Sequence, residues 1–213
     1  MSRAVVHLVR HGEVHNPDKV LYGRLPGYRL SDRGEAQAVL AAEYLAGRDV
    51  GYLVSSPLER ARQTAEPIGA VLGLTPDVDA GLIEAANSFE GRRIAGGNGL
   101  AELVGNPRNW PYFRNPLRPS WGEPYEEIAA RVLAAVLRAR DRAEGREAVC
   151  VSHQLPIVAV RRHVEGLRLA HDPRKRECAL ASVTSLHFVG DVVVRVDYAE
   201  PAGATSPDAV PGA

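Results

Sequence analysis

Lysine is almost missing from this chain. Of its 26 basic residues, only Lys19 and Lys175 are lysines. A GC-rich genome accounts for such a bias, so no arginine is singled out merely for being one. Net charge is missing too, because 26 acidic residues cancel the 26 basic ones. That balance excludes wholesale polyanion binding, and nucleic acid is not an expected partner, although one local basic pocket stays open. Cysteine is scarce. Cys150 and Cys178 sit in apolar company without CxxC spacing. Reduced, packed thiols are the simplest reading, with a single disulfide left open. Long hydrophobic runs are absent. The N-terminal run meets Arg10-His11 too soon for a signal-peptide core or a membrane span. A cytoplasmic protein with no membrane partner is the expectation. No Gly-rich nucleotide fingerprint follows that run, no histidine pair has metalloenzyme spacing, and no internal repeat recurs. Neither a metal nor another cofactor is expected.

What is present is an ordinary globular composition. Hydrophobic residues make up 45% and charged residues 24% of 213 positions, enough to bury a substantial core. The length fits one domain with an insertion. Residues 4–9 read as a buried strand ending in Arg10-His11-Gly12. Ser31 is the N-cap of a helix that stops at Gly47, with Ala36, Val39, Leu40, Glu43 and Tyr44 at helical spacing and mostly apolar. Residues 50–55 form the second strand. Pro57 fits the first turn of the next helix, and Pro67 is expected to kink or restart it. Strand and helix in alternation point to an α/β sandwich of three layers, with a mostly parallel central sheet and helices on both faces.

Residues 85–122 break that rhythm. They are dense in Gly, Pro, Asn and aromatics, and read as an inserted helical and loop cap over one end of the sheet, with short helices around 99–105. Trp110, Tyr112, Phe113 and Trp121 would form the cap's own small core or line a pocket. Residues 125–142 read as a long amphipathic helix with Ile128, Val132, Leu133, Val136 and Leu137 on one face. A buried strand at 148–152 and a helix near 155–164 follow. Gly190-Asp191 turns a hairpin between 182–189 and 192–198. Residues 1–199 are taken as one domain and 200–213 as an extended tail.

The ends of the strands carry the chemistry. In open parallel sheets, ligands bind beyond the carboxyl ends. The first strand ends in Arg10-His11-Gly12-Glu13, the second in Ser55-Ser56-Pro57 with Arg60 close behind, and the third in Ser152-His153. A short strand-like segment near 78–82 ends in Ile83-Glu84. Two arginines, two histidines and a carboxylic acid thus reach one edge. Guanidiniums pair with phosphoryl oxygens, a neutral imidazole attacks phosphorus, and a carboxylic acid protonates the departing oxygen. Taken singly, each has a bland use as an ion-pair partner or a satisfied histidine. Together they suit a phosphate ester.

Those strings resemble the histidine phosphatase superfamily, the phosphoglycerate mutase-like clan. LVRHGEVHN resembles its signature, SSPLERARQTAEPI its second arginine motif and VSHQLPI its second-histidine segment. Tyr22-Gly23-Arg24 followed by LSDRGEAQA is similar to its phosphate-loop-to-helix passage. The resemblance covers roughly residues 4–84 and 123–165. It implies that His11 is the nucleophile, forming a phosphohistidine, with its other ring nitrogen donating to a carbonyl such as that of Gly12. It implies that Arg10, Arg60 and His153 hold the phosphoryl group, that Asn16 and the backbone of Gly23 help, and that Glu84 is the proton donor. No metal is required. Two departures stand out. The motif commonly has glycine after the second histidine, where this chain has Gln154, and the segment around Glu84 matches loosely. Glu13 and Glu90 are therefore rival donors. Glu13 also suits a loop-orienting role, and Glu90 a surface pair with Arg92 or Arg93.

Three functions remain. The first is a phosphomonoesterase acting on a small phosphorylated metabolite. The second is phosphoryl transfer of the phosphoglycerate mutase type, or action on a phosphoprotein or phosphohistidine protein. The third is a catalytically silent phospholigand-binding module. Cofactor-dependent mutases carry an ERHYG-type string and an arginine pair, and only Arg92-Arg93 is found here. His7 reads as a satisfied core histidine, His15 as exposed or substrate-facing, and His163 and His187 as structural. The basic run 171–177 reads as a solvated turn rather than a substrate clamp. Oligomeric state is not legible.

Overall fold

The computed structural model describes residues 3–93 and 122–203. Strand β1 (Arg3–Arg10), β2 (Val50–Ser55), β3 (Asp77–Val78), β4 (Glu147–Ser152), β5 (Val183–Val189) and β6 (Val192–Ala199) form one sheet in the order β3-β2-β4-β1-β5-β6. The pairs β3/β2, β2/β4 and β4/β1 are parallel, and β1/β5 and β5/β6 are antiparallel. Helices α1 (Asp32–Leu45), α2 (Glu59–Leu72), α3 (Tyr125–Arg142) and α4 (Gln154–Val164) cover it. The result is the expected α/β sandwich.

Alternation along the strands explains the layers. Val6 and Leu8 of β1, with Ala148 and Cys150 of β4, face the helices α3 and α4, where they meet Ile128, Val132, Val136 and Ile157. Val9, Val149 and Val151 face the opposite way, onto Ala41 and Leu45 of α1 and Ala65 and Ile68 of α2. Both faces are buried, so these central strands read as nearly unbroken apolar runs. Both cysteines are free and buried. Helix α3 buries the predicted stripe, with Leu133 and Leu137 packed at its margin.

Helix α1 departs from the expectation. Ser31 caps it as predicted, accepting the Gly34 N–H at 3.1 Å. Its buried face, however, is Gly34, Gln37, Ala38, Ala41, Ala42 and Leu45. Val39, Leu40 and Tyr44 are exposed at 46%, 41% and 39%. Small residues win the inner face because α1 lies close against α2 and the sheet, where large side chains do not fit. Helix α2 starts at Glu59, after Pro57, and runs unbroken through Pro67. The lost N–H of Pro67 removes one hydrogen bond without ending the helix. Beyond β3 the chain forms a 3₁₀ turn at Ala80–Leu82 rather than a longer strand, and Glu84 follows it. The helices expected around 99–105, and Trp110, Tyr112, Phe113 and Trp121, lie outside the described residues. Near the end of the described residues, Ala202 packs against the α1/α2 side of the core.

The loop that carries His11 is pressed onto the start of α1. A Cβ on Gly12 would strike the carbonyl of Gly34, and one on Gly34 would strike the carbonyl of Glu13. Both obstacles are backbone, so they yield only if the loop moves. Gly34→Ala is expected to cost about 1–3 kcal/mol, the usual size of an overpacking penalty. Urea unfolding measures it, and an unchanged midpoint would refute the close contact.

Candidate active site

Parallel register builds the centre of the site. Arg10 at the end of β1 pairs in register with Ser152 at the end of β4, and the His11 N–H donates to the Ser152 carbonyl at 3.1 Å. The residues after these ends, His11 and His153, therefore stand side by side. Their ring centroids are 5.1 Å apart, tilted by 59°. Strand β2 ends beside them, with the Ser56 N–H on the Val151 carbonyl at 2.9 Å. The first turn of α2 then brings in Arg60.

Hydrogen bonds define the ring of His11. Its Nδ1 lies 2.7 Å from the Gly12 carbonyl, an acceptor only, so Nδ1 carries the proton. Nε2 is then a lone pair, and it accepts from Arg60 Nε at 3.3 Å. Burial first, then the guanidiniums of Arg60 and Arg10, hold the His11 pKa well below 6.5. His153 is lowered in the same way, by burial and then by Arg60, His11 and Arg10. Its Nε2 meets Ser56 Oγ at 2.7 Å, and its buried Nδ1 has no partner among the described residues.

Both arginines are held by neutral acceptors. Arg10 donates to the Cys178 carbonyl at 2.6 Å, and its buried Nε is unpartnered among the described residues. Arg60 donates to the Gly23 carbonyl at 2.7 Å and lies over the Tyr22 ring, 4.8 Å from its centroid. Neither has a salt-bridge partner among the described residues, so both positive charges stay available for an anion. Glu84 is 2% exposed. Burial raises its pKa above 4.5, against the Ala85 N–H and the charges of Arg60, Arg176 and Arg10.

The remaining candidates serve the loops. Gly23 presents its carbonyl to Arg60. Asn16 donates to the Val20 carbonyl at 2.8 Å and accepts the Val20 N–H at 3.0 Å, bracing its own loop. It also lines a cavity of about 390 Å³ with Glu13, His15, Lys19, Tyr22 and Leu180. Glu13 receives Ser31 Oγ at 2.9 Å and faces Arg33 at 3.6 Å, which fits the loop-orienting alternative. Glu90 is not the surface acid expected. Its carboxylate accepts the N–H groups of Arg24 at 3.0 Å and Asn87 at 3.3 Å, while Arg93 pairs with Asp18 at 2.9 Å. Bare backbone N–H groups from two irregular loops claim the carboxylate first. His7 is the satisfied core histidine, between Ser185 at 2.8 Å and Glu147 at 2.9 Å. No group of three His, Cys, Asp or Glu side chains among the described residues is arranged to hold a metal ion. No helix among them is long and apolar enough to cross a membrane.

Sequence reasoning missed the supports. Thr64, one turn after Arg60, accepts the Gly12 N–H at 3.1 Å and donates to the Arg60 carbonyl at 2.8 Å. Arg131 of α3 grips the Glu123 carboxylate with two bonds of 2.6 and 2.9 Å, and reaches the carbonyls of Gly81 and Ile83 at 2.7 and 2.8 Å. Arg24 bridges the Glu84 carbonyl at 2.6 Å and Glu123 at 2.8 Å. This clamp fixes the turn that carries Glu84. Arg131→Ala should cost about 1.5–3 kcal/mol, as expected for lost charge-assisted bonds. The more exposed pair of Arg138 and Asp79, at 2.8 Å, should matter by at most about 1 kcal/mol. Urea unfolding of both variants checks the order, and equal losses would refute the clamp.

Comparison with known proteins places this architecture. The family model of the histidine phosphatase superfamily (branch 1) matches residues 6–200. The uncharacterized protein Rv0525 of Mycobacterium tuberculosis is 56% identical over 197 residues, 92% of this chain and 96% of its own length. A probable phosphoglycerate mutase, GpmB of Photorhabdus laumondii, is 29% identical over 85% of each chain. Among solved structures, the mycobacterial glucosyl-3-phosphoglycerate phosphatase Rv2419c complexed with VO3 superposes with a TM-score of 0.73 and 29% identity, covering 94% of this chain and 99% of its own. The chain therefore belongs to the histidine phosphatase superfamily.

Proposed function

We propose that this protein is a phosphomonoesterase that hydrolyses a small phosphorylated metabolite through a phosphohistidine on His11. One observation carries the reading. A buried, neutral imidazole holds its Nε2 lone pair against Arg60 and within the field of Arg10, and neither guanidinium has a salt-bridge partner among the described residues. Arg10 and Arg60 bind the phosphoryl oxygens. Nε2 of His11 attacks phosphorus, while the Nδ1–H bond to Gly12 fixes the tautomer and stabilises the ring as it becomes cationic. With Ser56 donating to Nε2 of His153, the Nδ1–H of His153 is free to donate to a phosphoryl oxygen in the transition state. Glu84, whose pKa burial raises, gives its proton to the departing alkoxide. Water then attacks the phosphohistidine, with Glu84 as base, and phosphate leaves. The phosphatase activity named for the Rv2419c protein supports this direction.

Incubation with 3-phosphoglycerate and 2,3-bisphosphoglycerate separates hydrolysis from transfer. Inorganic phosphate should accumulate from a phosphorylated-metabolite panel, and wild type quenched in alkali should retain an acid-labile phosphoryl label. Both signals should vanish in His11→Ala. Rapid formation of 2-phosphoglycerate with little phosphate would make the protein a mutase.

The pH profile tests the acid. Free His11 must be neutral, and its lowered pKa places the acid limb of kcat/KM below pH 6.5. Glu84 must be protonated, so activity on alkyl phosphates should fall as pH rises through its raised pKa. p-Nitrophenyl phosphate hardly needs that proton, so its alkaline limb should be weak. Glu84→Gln should lower alkyl phosphate turnover about 10²–10⁴-fold and p-nitrophenyl phosphate turnover much less. Equal losses with both substrates would move the role to another residue.

A further inference from the structure

The basic run 171–177 is not a uniformly solvated turn. Asp172 caps the 3₁₀ turn Pro173–Lys175 and pairs with Arg174 at 2.8 Å. Glu177 is taken by Arg161 at 2.8 Å. The two acids flanking Arg176 are thus engaged by other arginines. Arg176 is half-buried and turns inward to neutral acceptors. Its Nε donates to His171 Nε2 at 3.0 Å, and one terminal nitrogen donates to Gln154 Oε1 at 3.3 Å. His171 is set for this role. Its Nδ1 donates to the Leu169 carbonyl at 2.6 Å, which leaves Nε2 as the acceptor. Burial, then the charges of Arg176 and Arg162, lower its pKa despite that bond and nearby Asp172. The ring of Tyr125, 5.6 Å from that of His171, walls the other side.

Gln154 links this group to the phosphate cradle. It directly follows His153, and its Nε2 lies 3.4 Å from the Cys178 carbonyl, the same oxygen that holds Arg10 at 2.6 Å. Arg176, Gln154, the Cys178 carbonyl and Arg10 therefore form one continuous hydrogen-bonded chain. The field of Arg176 also reaches Glu84. A glycine at 154, the commoner residue of the motif, would offer no acceptor and leave Arg176 held by His171 alone.

We propose that Arg176, oriented by Gln154 and His171, is a second anion-binding subsite beside the phosphoryl site, selecting esters whose alcohol portion carries a further carboxylate or phosphate. The proposal rests on the phosphomonoester reading and specifies its substrate class. Arg176 makes no salt bridge among the described residues, and its remaining N–H groups are free there to form a bidentate pair with such a group.

Dissociation constants measured by calorimetry on the full chain, carrying His11→Ala to stop turnover, test it. Two matched pairs are used: O-phosphoserine against O-phosphoethanolamine, and fructose 1,6-bisphosphate against fructose 6-phosphate. The first isolates a carboxylate, the second a phosphate. At least one doubly anionic ligand should bind about 10-fold or more tightly than its partner, the scale of a charge-assisted bond. Arg176→Gln should bring that ratio near one, and Arg176→Lys should keep part of it. Gln154→Gly should reduce it as well. Reading a ratio separates the effect from general loss of folding, which weakens both ligands of a pair. A ratio near one in both pairs, no binding of either doubly anionic ligand, or a ratio that survives Arg176→Gln would overturn the subsite. Hydrolysis of p-nitrophenyl phosphate by the unmodified chain is scored separately. Its absence, with the ratio intact, would refute the esterase and leave the subsite standing.

Discussion

The parallel pairing of β1 with β4 is the constraint on which the site depends. Arg10 stands opposite Ser152, so the next residue of each strand leaves the sheet at the same height and puts two imidazoles 5.1 Å apart. A shift of one residue would turn Val9 and Val151 to the wrong layer and separate the rings. The core on both faces thus enforces the geometry of the edge. Close contact of Gly12 and Glu13 with Gly34 adds a second restraint, tying the His11 loop to the cap of α1.

The electrostatics follow from that burial. A guanidinium taken from water usually acquires a carboxylate partner, since unpaired buried charge is costly. Arg10 and Arg60 instead receive carbonyls and an imidazole lone pair. Dipoles solvate the charge without cancelling it. Burial first, and then the same two charges, favour the neutral forms of His11 and His153, since burial and cationic neighbours act in one direction on an imidazole. A neutral His11 and a cationic cradle are therefore consequences of one arrangement.

Local signals made much of this legible. The strands, the Ser31 cap, the α3 stripe and the hairpin at Gly190 follow from periodicity and turn chemistry, which act within a few residues. The bond from His11 to Gly12 came from the family resemblance, and the geometry has it at 2.7 Å. Failures arose where a distant partner decides. Large apolar side chains on α1 looked like its core face, but approach to α2 selected Ala38, Ala41 and Ala42, and left Tyr44 under Arg48 at the surface. Glu90 looked like a surface acid because the chain does not reveal that Arg24 and Asn87 present bare N–H groups to it. Arg131 lies 47 positions from Glu84, and nothing in its amphipathic helix marks it as the holder of that turn. Arg176 was hidden for the same reason, since its acceptors come from outside its own turn of chain.

Glu84 shows how the reading of the site closes on itself. In the free protein two influences oppose each other on its carboxyl group: burial favours the acid, while Arg60, Arg176 and Arg10 favour the carboxylate. Burial prevails. On the phosphomonoester reading, an arriving dianion offsets the guanidiniums and adds negative charge of its own, so the acid form gains further as substrate binds. The proton is thereby secured when the leaving alkoxide needs it. Departure of the alcohol and phosphoryl transfer to His11 then change the field again, since the phosphoryl charge stays in the cradle while the imidazole becomes cationic. A carboxyl group balanced by burial against several cations responds to each such change, whereas one bound tightly to a single arginine would stay ionised throughout. On that reading, the absence of a charged partner for the Glu84 carboxyl group among the described residues, with the clamp gripping only its backbone carbonyl, would permit it to serve first as acid and then as base.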